Sequence, residues 1–349
     1  MSGLFEVKQV DQDFYRNKLQ RFLPESMIDI HTHVWLESFR VKDNKAPNRT
    51  VGWPSMVAAD NSAEDLLETY RLMFPGKKVN ALIFGFPSQE YDIGQSNSYV
   101  MECSRKYRLP SLYLSHPGMS AAMFEKGIEE GGFLGCKVYL NFAPNYIPEK
   151  EIRIFDFLPE HQLKVLDKRG WIVMLHIPRV GRLKDEVNLV QMLEIENKYP
   201  GIKLIIAHVG RAYCDEDLGN AMDILSRTKN MMFDFAANSN SYVFSKLIEA
   251  VGTKRIMFGS DLPILRMRAG RVCENGKYYN LVPRGLYGDV SSDSHMREVD
   301  GDDAGSLTFF MYEEIDSFRR ASEAAHLKKE DIEDVFFNNA ARLLGLNKE

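Results

Sequence analysis

The chain has 349 residues, 44% hydrophobic and 27% charged, which is enough apolar material for a sizeable core and fits a soluble globular protein. A formal net charge of -5 argues against a general nucleic-acid binder, and no segment approaches the roughly 18 uncharged apolar residues that would span a membrane. Cys103, Cys136, Cys214 and Cys273 show no C-x-x-C pairing, and the opening MSGLFEVKQVDQDF is too charged for a secretory signal, so a reduced, cytoplasmic protein without a disulfide framework is expected.

Residues 1–26 read as a lead-in, helix-like and polar over 5–23 and ending at Pro24, that packs against the outside of the fold. Short apolar runs follow at 27–33, 79–84, 111–115, 134–140, 171–176, 203–208, 231–235 and 255–261. They carry little polar alternation, as expected of strands buried on both faces. Helical patterns lie between them at 62–74, 95–107, 119–130, 157–169, 186–198, 215–228 and 241–251, and Gly or Pro often marks the return to strand, as at Lys168-Arg169-Gly170 and Tyr199-Pro200-Gly201.

Strand–helix alternation repeated eight times predicts an α/β protein of the (β/α)8 (TIM) barrel type, built as a single domain over 1–349 with no internal repeat or linker. A doubly wound sheet is the runner-up, but the Gly-rich phosphate loop it would normally carry does not follow His33. Two connections are long: 34–61 after the first strand, with Trp35, Arg40, Arg49 and Trp53, and 262–306 after the eighth, rich in Gly, Arg and Tyr. Loops of such length are usually functional, and both leave the strand ends where barrels keep their chemistry. The chain closes on an amphipathic helix that places Ile332, Val335, Phe336, Leu343 and Leu344 near one face.

Four expected strands end in a metal-capable residue: His31 and His33 on the first, His176 on the fifth, His208 on the sixth and Asp261 on the eighth. Two apart on a strand, His31 and His33 share a face at roughly 6.5–7 Å, so both rings can reach one cation, and neutral imidazole suits zinc or its first-row neighbours. Singly, each residue has a plainer reading: a strand-end His is often only hydrogen-bonded, and Asp261 before Leu262-Pro263 fits a turn or a helix cap. Together, at one end of one layer, they favour a hydrolytic metal site with a coordination position left for water. Asp261 would bind the ion, orient the water, or both; His208 would ligate, act as base, or polarise a carbonyl. His116 sits at the right rim without an evident role, while His161, His295 and His326 read as solvated.

Lys137 interrupts an apolar strand and needs a partner. It is either carbamylated between two metals, an ammonium that binds a substrate carboxylate, or paired with an acid; the uncarbamylated forms are favoured because Asp261 is the only acid evident at the strand ends for a second ion. Arg179 and Arg182 follow His176, Arg211 follows His208, and Arg266, Arg268, Arg271 and Arg284 follow Asp261. Arg grips carboxylate and phosphate bidentately, so an anionic small-molecule substrate is expected, unless these side chains pair with acids such as Asp185, Glu274 or Asp289. Lys137, Arg179, Arg211, Arg266 and Trp35 form the expected substrate-binding set.

The segments Asp29-Ile-His-Thr-His33, Gly132-Phe-Leu-Gly-Cys-Lys137, Leu175-His176, Ile206-Ala-His208-Val-Gly210, Phe258-Gly-Ser-Asp261-Leu-Pro263 and Asn339-Ala-Ala-Arg342-Leu-Leu-Gly345 span nearly the whole chain. In this order they resemble the amidohydrolase superfamily, specifically its amidohydrolase-2 branch. The resemblance implies one zinc or other divalent ion held by His31, His33, His176 and Asp261, with His208 beside it as base or electrostatic catalyst. It leaves the reaction open, since the branch includes amide and lactone hydrolases, non-oxidative decarboxylases and hydratases. A metal-dependent hydrolase of a small anionic ester, lactone or amide is the expectation; a decarboxylase of an aromatic or unsaturated acid is the alternative, and a non-catalytic binding barrel the third. Barrels of this kind often associate, which leaves a homo-oligomer open by analogy.

Overall fold

The structure, a computed structural model, describes residues 4–41 and 54–346; Arg49 and Trp53 of the first long connection lie outside the described residues. Strands form at all eight expected places: β1 (Ser26–His33), β2 (Lys78–Phe84), β3 (Tyr113–Leu114), β4 (Gly135–Val138), β5 (Ile172–Leu175), β6 (Lys203–Ile206), β7 (Met232–Asp234) and β8 (Ile256–Met257). β3 to β8 pair in sequential order as one parallel sheet, and β1 pairs with β2. The two sheets also join at both edges. The Leu112 N–H donates to the Ile83 carbonyl at 3.0 Å on one side; on the other, the Ile30 N–H donates to Phe258 O at 3.1 Å and the His33 N–H to Leu262 O at 2.8 Å. These bonds close the ring as a (β/α)8 barrel, which leaves the barrel strands no free edge.

β1 does not run regularly. Asp29 faces Ala81 and Thr32 faces Ile83, so β1 carries one residue more than β2 between those pairs. Ile28 and Ile30 join the apolar cluster with Leu82, Met174, Ile205 and Met257 from the other strands, whereas Met27 packs in the outer cluster with the helices. Unbroken alternation would leave His31 and His33 on the outer face with Met27 and Asp29. The bulge reverses the phase and turns both imidazoles inward, a recurrent use of bulges beside active sites. Asp29 stays outside, where it takes the Tyr70 hydroxyl at 2.8 Å and the N–H groups of His31 and Ser260, locking the bulge to the end of β8.

Helices 63–73, 93–107, 121–131, 160–169, 186–198 and 241–251 lie close to their expected bounds. The expected helix 215–228 is reduced to a 3-10 turn, Asp215–Asp217, and a short helix, Ala221–Leu225, because Gly219-Asn220 interrupts it with Gly219 at φ +47°. A helix at Phe310–Ala324 has no counterpart in the sequence reading and packs against helix 241–251. The closing segment is also divided: a π-helical turn, Asp334–Asn338, carries Val335 and Phe336, which lie with Ile332 in the outer core, and beyond it Leu343 and Leu344 join the inner cluster with Ala340 and Ala341. One continuous stripe was expected; the π turn rotates its second half onto the strand residues.

The 262–306 connection is not a loop. It folds into β9 (Gly270–Glu274), β10 (Lys277–Pro283) and β11 (Met296–Val299), a sheet in the order β11-β10-β9. Asn275-Gly276, both at positive φ, make the two-residue turn between β9 and β10. The Arg268 guanidinium roots this insert on the lead-in, gripping both oxygens of buried Asp11 at 2.9 and 2.7 Å. Cys273 of β9 forms a disulfide with Cys214, in the segment after β6, so the expectation of four reduced thiols does not hold; Cys103 and Cys136 are free. No described helix is long and apolar enough to cross a membrane.

Candidate metal centre

Between the carboxyl ends of the barrel strands and the inserted sheet lies a cavity of about 520 Å3 lined by His31, His33, Lys137, His176, His208 and Asp261. Each imidazole is aimed by what holds its other nitrogen. The His31 Nδ1–H donates to Asp234 Oδ2 at 2.9 Å, the His33 Nδ1–H to Gly85 O at 3.2 Å, and the His208 Nδ1–H to Ala236 O at 2.9 Å. All three Nε2 atoms are thereby left as acceptors, the arrangement in which carboxylates and carbonyls orient metal-binding histidines. Asp234, the last residue of β7, also accepts the His208 backbone N–H at 2.7 Å, so one buried acid sets two of the rings. Gly259 permits the approach of β8, since a Cβ there would stand 2.8 Å from the Cβ of His31.

His208 to Arg211 form a left-handed turn, with all four residues at φ between 50° and 60°. Three of them carry side chains, and each costs roughly 1–2 kcal/mol in this conformation. The turn brings both His208 and Arg211 to the cavity. Strain of this kind concentrates at functional sites.

His31, His208 and Asp261 each offer a ligand atom, and these atoms lie within 4.8 Å of one another. His33 Nε2 stands 3.0 Å from Asp261 Oδ1. With its Nδ1–H committed to Gly85, that nitrogen and the carboxylate face each other as two acceptors, a contact that calls for a proton or a cation between them. His176 Nδ1 is buried without a hydrogen-bond partner among the described residues, and its ring lies 5.1 Å from that of His208. A divalent cation answers the His33–Asp261 contact, and His31, His208 and Asp261 come close enough together to hold one, so the residues present fit such an ion; of the expected ligands, His33 and His176 are not part of that triad, and His208 takes a place in it. Burial holds the pKa values of His31, His176 and His208 below the usual histidine value, which keeps them neutral and ready to ligate. Burial works to raise the pKa of Asp261, yet the carboxylate is held below its usual range, the His33 contact first among the causes that lower it.

Lys137 is fully buried, with Nζ 3.2 Å from His31 Nε2 and 5.2 Å from the Phe84 ring centre. Burial lowers its pKa to about 8 against the opposing pull of Asp234 and Asp261. Of the other expected substrate contacts, Arg211 lines the cavity, its Nη1 donating to Pro178 O at 3.0 Å. Arg179 does not; it pairs with Asp185 at 3.1 Å. Arg266 is buried away from the cavity against Phe5, and Trp35 lies behind Phe86 with its indole N–H on Ala59 O at 2.8 Å. The Arg266 guanidinium is held there over the Phe5 ring and by donation to Val57 O, while Trp35 buries its large apolar surface with Ala58 and Tyr91.

Arg182 and Arg271, two of the rim arginines, line the cavity, together with Tyr139, Tyr213, Tyr278 and His295, which were not expected as contacts. His295, read as solvated, bonds Tyr278 O at 2.8 Å and stacks on the Tyr278 ring at 4.0 Å. Asn-Gly at 275–276 was the signal that could have found the Arg271–Tyr278 pair, because a hairpin there sets them on neighbouring strands. His161 and His326 are exposed, and His116 is half-buried outside the cavity.

Glu314, on helix 310–324, is buried, its carboxylate without a well-formed hydrogen bond among the described residues. Burial, with Asp29, Asp234 and Asp261 nearby, raises its pKa well above the ordinary 4.5. The folded chain therefore holds a proton that the unfolded chain releases, and stability is lost as pH climbs above the unfolded value. Glu314→Gln is expected to raise stability by about 1–3 kcal/mol at neutral pH, with the gain vanishing near pH 4; urea melts at the two pH values check it.

A (β/α)8 barrel whose strand ends gather four imidazoles and a carboxylate defines the class of metal-dependent barrel enzymes. The sequence profile of the amidohydrolase family matches residues 28–346, and the chain belongs to that family. A comparison with curated proteins finds no matching sequence. Among solved structures, an amidohydrolase 2 from Bifidobacterium longum subsp. infantis is 15% identical with a TM-score of 0.54, the match covering 93% of this chain and 100% of that one. A putative 2-pyrone-4,6-dicarboxylic acid hydrolase from Pseudomonas putida is 17% identical, with coverage of 94% and 100% and a TM-score of 0.54. A dihydroxybenzoic acid decarboxylase from Polaromonas sp. JS666, with bound manganese and an inhibitor, is 14% identical, with coverage of 93% and 98% and a TM-score of 0.53. At these identities the likeness is one of fold.

Proposed function

We propose that the protein is a metal-dependent hydrolase of an ester, lactone or amide bond in a small anionic substrate. The observation that carries this reading is the shared cavity: His31, His33, His176, His208 and Asp261 gather at its floor, and Arg211 opens into it with hydrogen bonds only to backbone carbonyls among the described residues. His31, His33, His176 and Asp261 would hold one divalent ion, zinc or a first-row neighbour. Such an ion supplies Lewis acidity, lowering the pKa of water and drawing electrons from a substrate carbonyl. His208, kept neutral by burial, takes the proton that the attacking water loses and returns it to the leaving group, with Asp261 as the second candidate acceptor. Lys137 stays an uncarbamylated ammonium that steadies negative charge beside His31, and Arg211 anchors the acid group.

The aromatic lining, with Phe86, Tyr139, Tyr213 and Tyr278, favours a second reading, decarboxylation of an aromatic acid whose ring stacks there. Product analysis on a panel of carboxylated lactones, esters, amides and aromatic acids separates the two. Ring opening or acyl cleavage without carbon dioxide is expected; carbon dioxide release with no hydrolysis would reverse the choice. Arg211→Gln is expected to raise KM roughly 10- to 100-fold for charged substrates and to spare neutral analogues. An equal loss on both would reject an anion anchor.

A further inference from the structure

Arg271 is placed in the cavity by the inserted sheet and not by the barrel. Its guanidinium lies 4.6 Å from the ring centres of Tyr213, Tyr278 and Phe310. Nε donates to Asn280 Oδ1 at 2.8 Å and Nη1 to the Ala237 carbonyl, while Nη2 has no hydrogen-bond partner among the described residues. No described carboxylate lies within ion-pair distance of it. Glu314 is an acid close enough to act on it, and burial favours the neutral form of Glu314. Arg182, against the same two tyrosine rings, is by contrast neutralised by Asp217 at 2.7 Å. Of the acids lining the cavity, Asp261 belongs to the histidine cluster, Asp293 accepts the His295 N–H and Glu149 is exposed. Burial lowers the pKa of Arg271, so its charge is held at a cost that an anion would relieve.

Arg211, on the turn that carries His208, acts electrostatically on His176 and Tyr139, while Arg271, on the inserted sheet, acts on Tyr278; both act on Tyr213. The cavity thus holds two arginines without acid partners among the described residues, one carried by the barrel beside His208 and one by the inserted sheet. Its volume of about 520 Å3 leaves room for a substrate that reaches both. Resting on the reading of an anionic substrate above, we infer that Arg271 binds a second anionic group, which makes the substrate a small acid with two carboxylates or equivalent oxyanions. The planar guanidinium is clamped by the rings and by Asn280 and Ala237, so little rotational freedom is lost when its remaining edge takes an oxyanion.

Calorimetric titration of the metal-loaded protein with glutarate and isophthalate, each against its mono-acid counterpart, butyrate or benzoate, tests this. The wild-type chain is expected to bind at least one diacid roughly 10- to 100-fold more tightly than its mono-acid. Arg271→Gln should abolish that preference and leave mono-acid binding within about twofold. Arg271→Lys, which keeps the charge and is available if the glutamine variant fails to fold, should retain part of it. No diacid preference in the wild-type chain, or one that survives both substitutions, would overturn the inference. Absence of turnover on the substrate panel with the preference intact would count against the hydrolase reading alone.

Discussion

His33→Ala is expected to release the ion and to lower kcat by more than the roughly 100-fold that loss of an outer partner of a metal ligand costs, with the fold retained. The ring is fixed by one backbone carbonyl and one carboxylate, Gly85 O and Asp261 Oδ1, and packs edge-on to Phe84 at 4.7 Å between ring centres. Removing it takes a nitrogen from the ion and frees the Asp261 oxygen that faced it. It also opens space at the cavity floor instead of within the apolar core, so melting should shift little. Turnover equal to wild type, at equal metal content, would remove His33 from the site.

Arg268→Ala is expected to destabilise the protein by about 3–5 kcal/mol, because it strands a buried carboxylate. Asp11 is fully buried and Arg268 nearly so; the guanidinium also donates to Leu307 O, and the Thr308 hydroxyl donates to the same acid at 2.7 Å. The pair ties the amino-terminal helix to the root of the inserted sheet. Replacing both partners together, Asp11→Leu with Arg268→Met, is expected to recover most of the loss, since neither charge is then left unpaired. A single substitution that melts like wild type in urea would show that water reaches Asp11. Arg268 and Arg271 are three residues apart and play different parts: the first is spent on the fold, the second faces the cavity.

The barrel was legible in the sequence because eight short apolar runs alternate with amphipathic stretches, and burial on both faces leaves a mark that composition preserves. The residues at the site floor were legible for a related reason, since His31, His33, His176, His208 and Asp261 each end an expected strand. What pointed His31 and His33 inward was not legible: a one-residue bulge at Asp29–Thr32 has no compositional signature, yet it decides the face. Of the arginines, sequence position could rank none. Arg179, Arg211 and Arg266 follow strands alike, and only packing sends Arg179 to Asp185 and Arg266 against Phe5 while leaving Arg211 in the cavity. Helix 310–324 was hidden by Glu314, a charge on its buried face, and by the long insert ahead of it. The Cys214–Cys273 bond joins residues 59 apart in sequence, which spacing alone could not connect.

The proposed centre is one divalent ion held by His31, His33, His176 and Asp261. Metal content measured on protein prepared without chelator, then on chelated protein titrated with zinc and with manganese, tests it most directly. One ion per chain in the wild-type protein, rebinding after chelation and lost in His33→Ala, is the predicted result. A folded wild-type protein that carries no stoichiometric ion and takes up neither metal would contradict it.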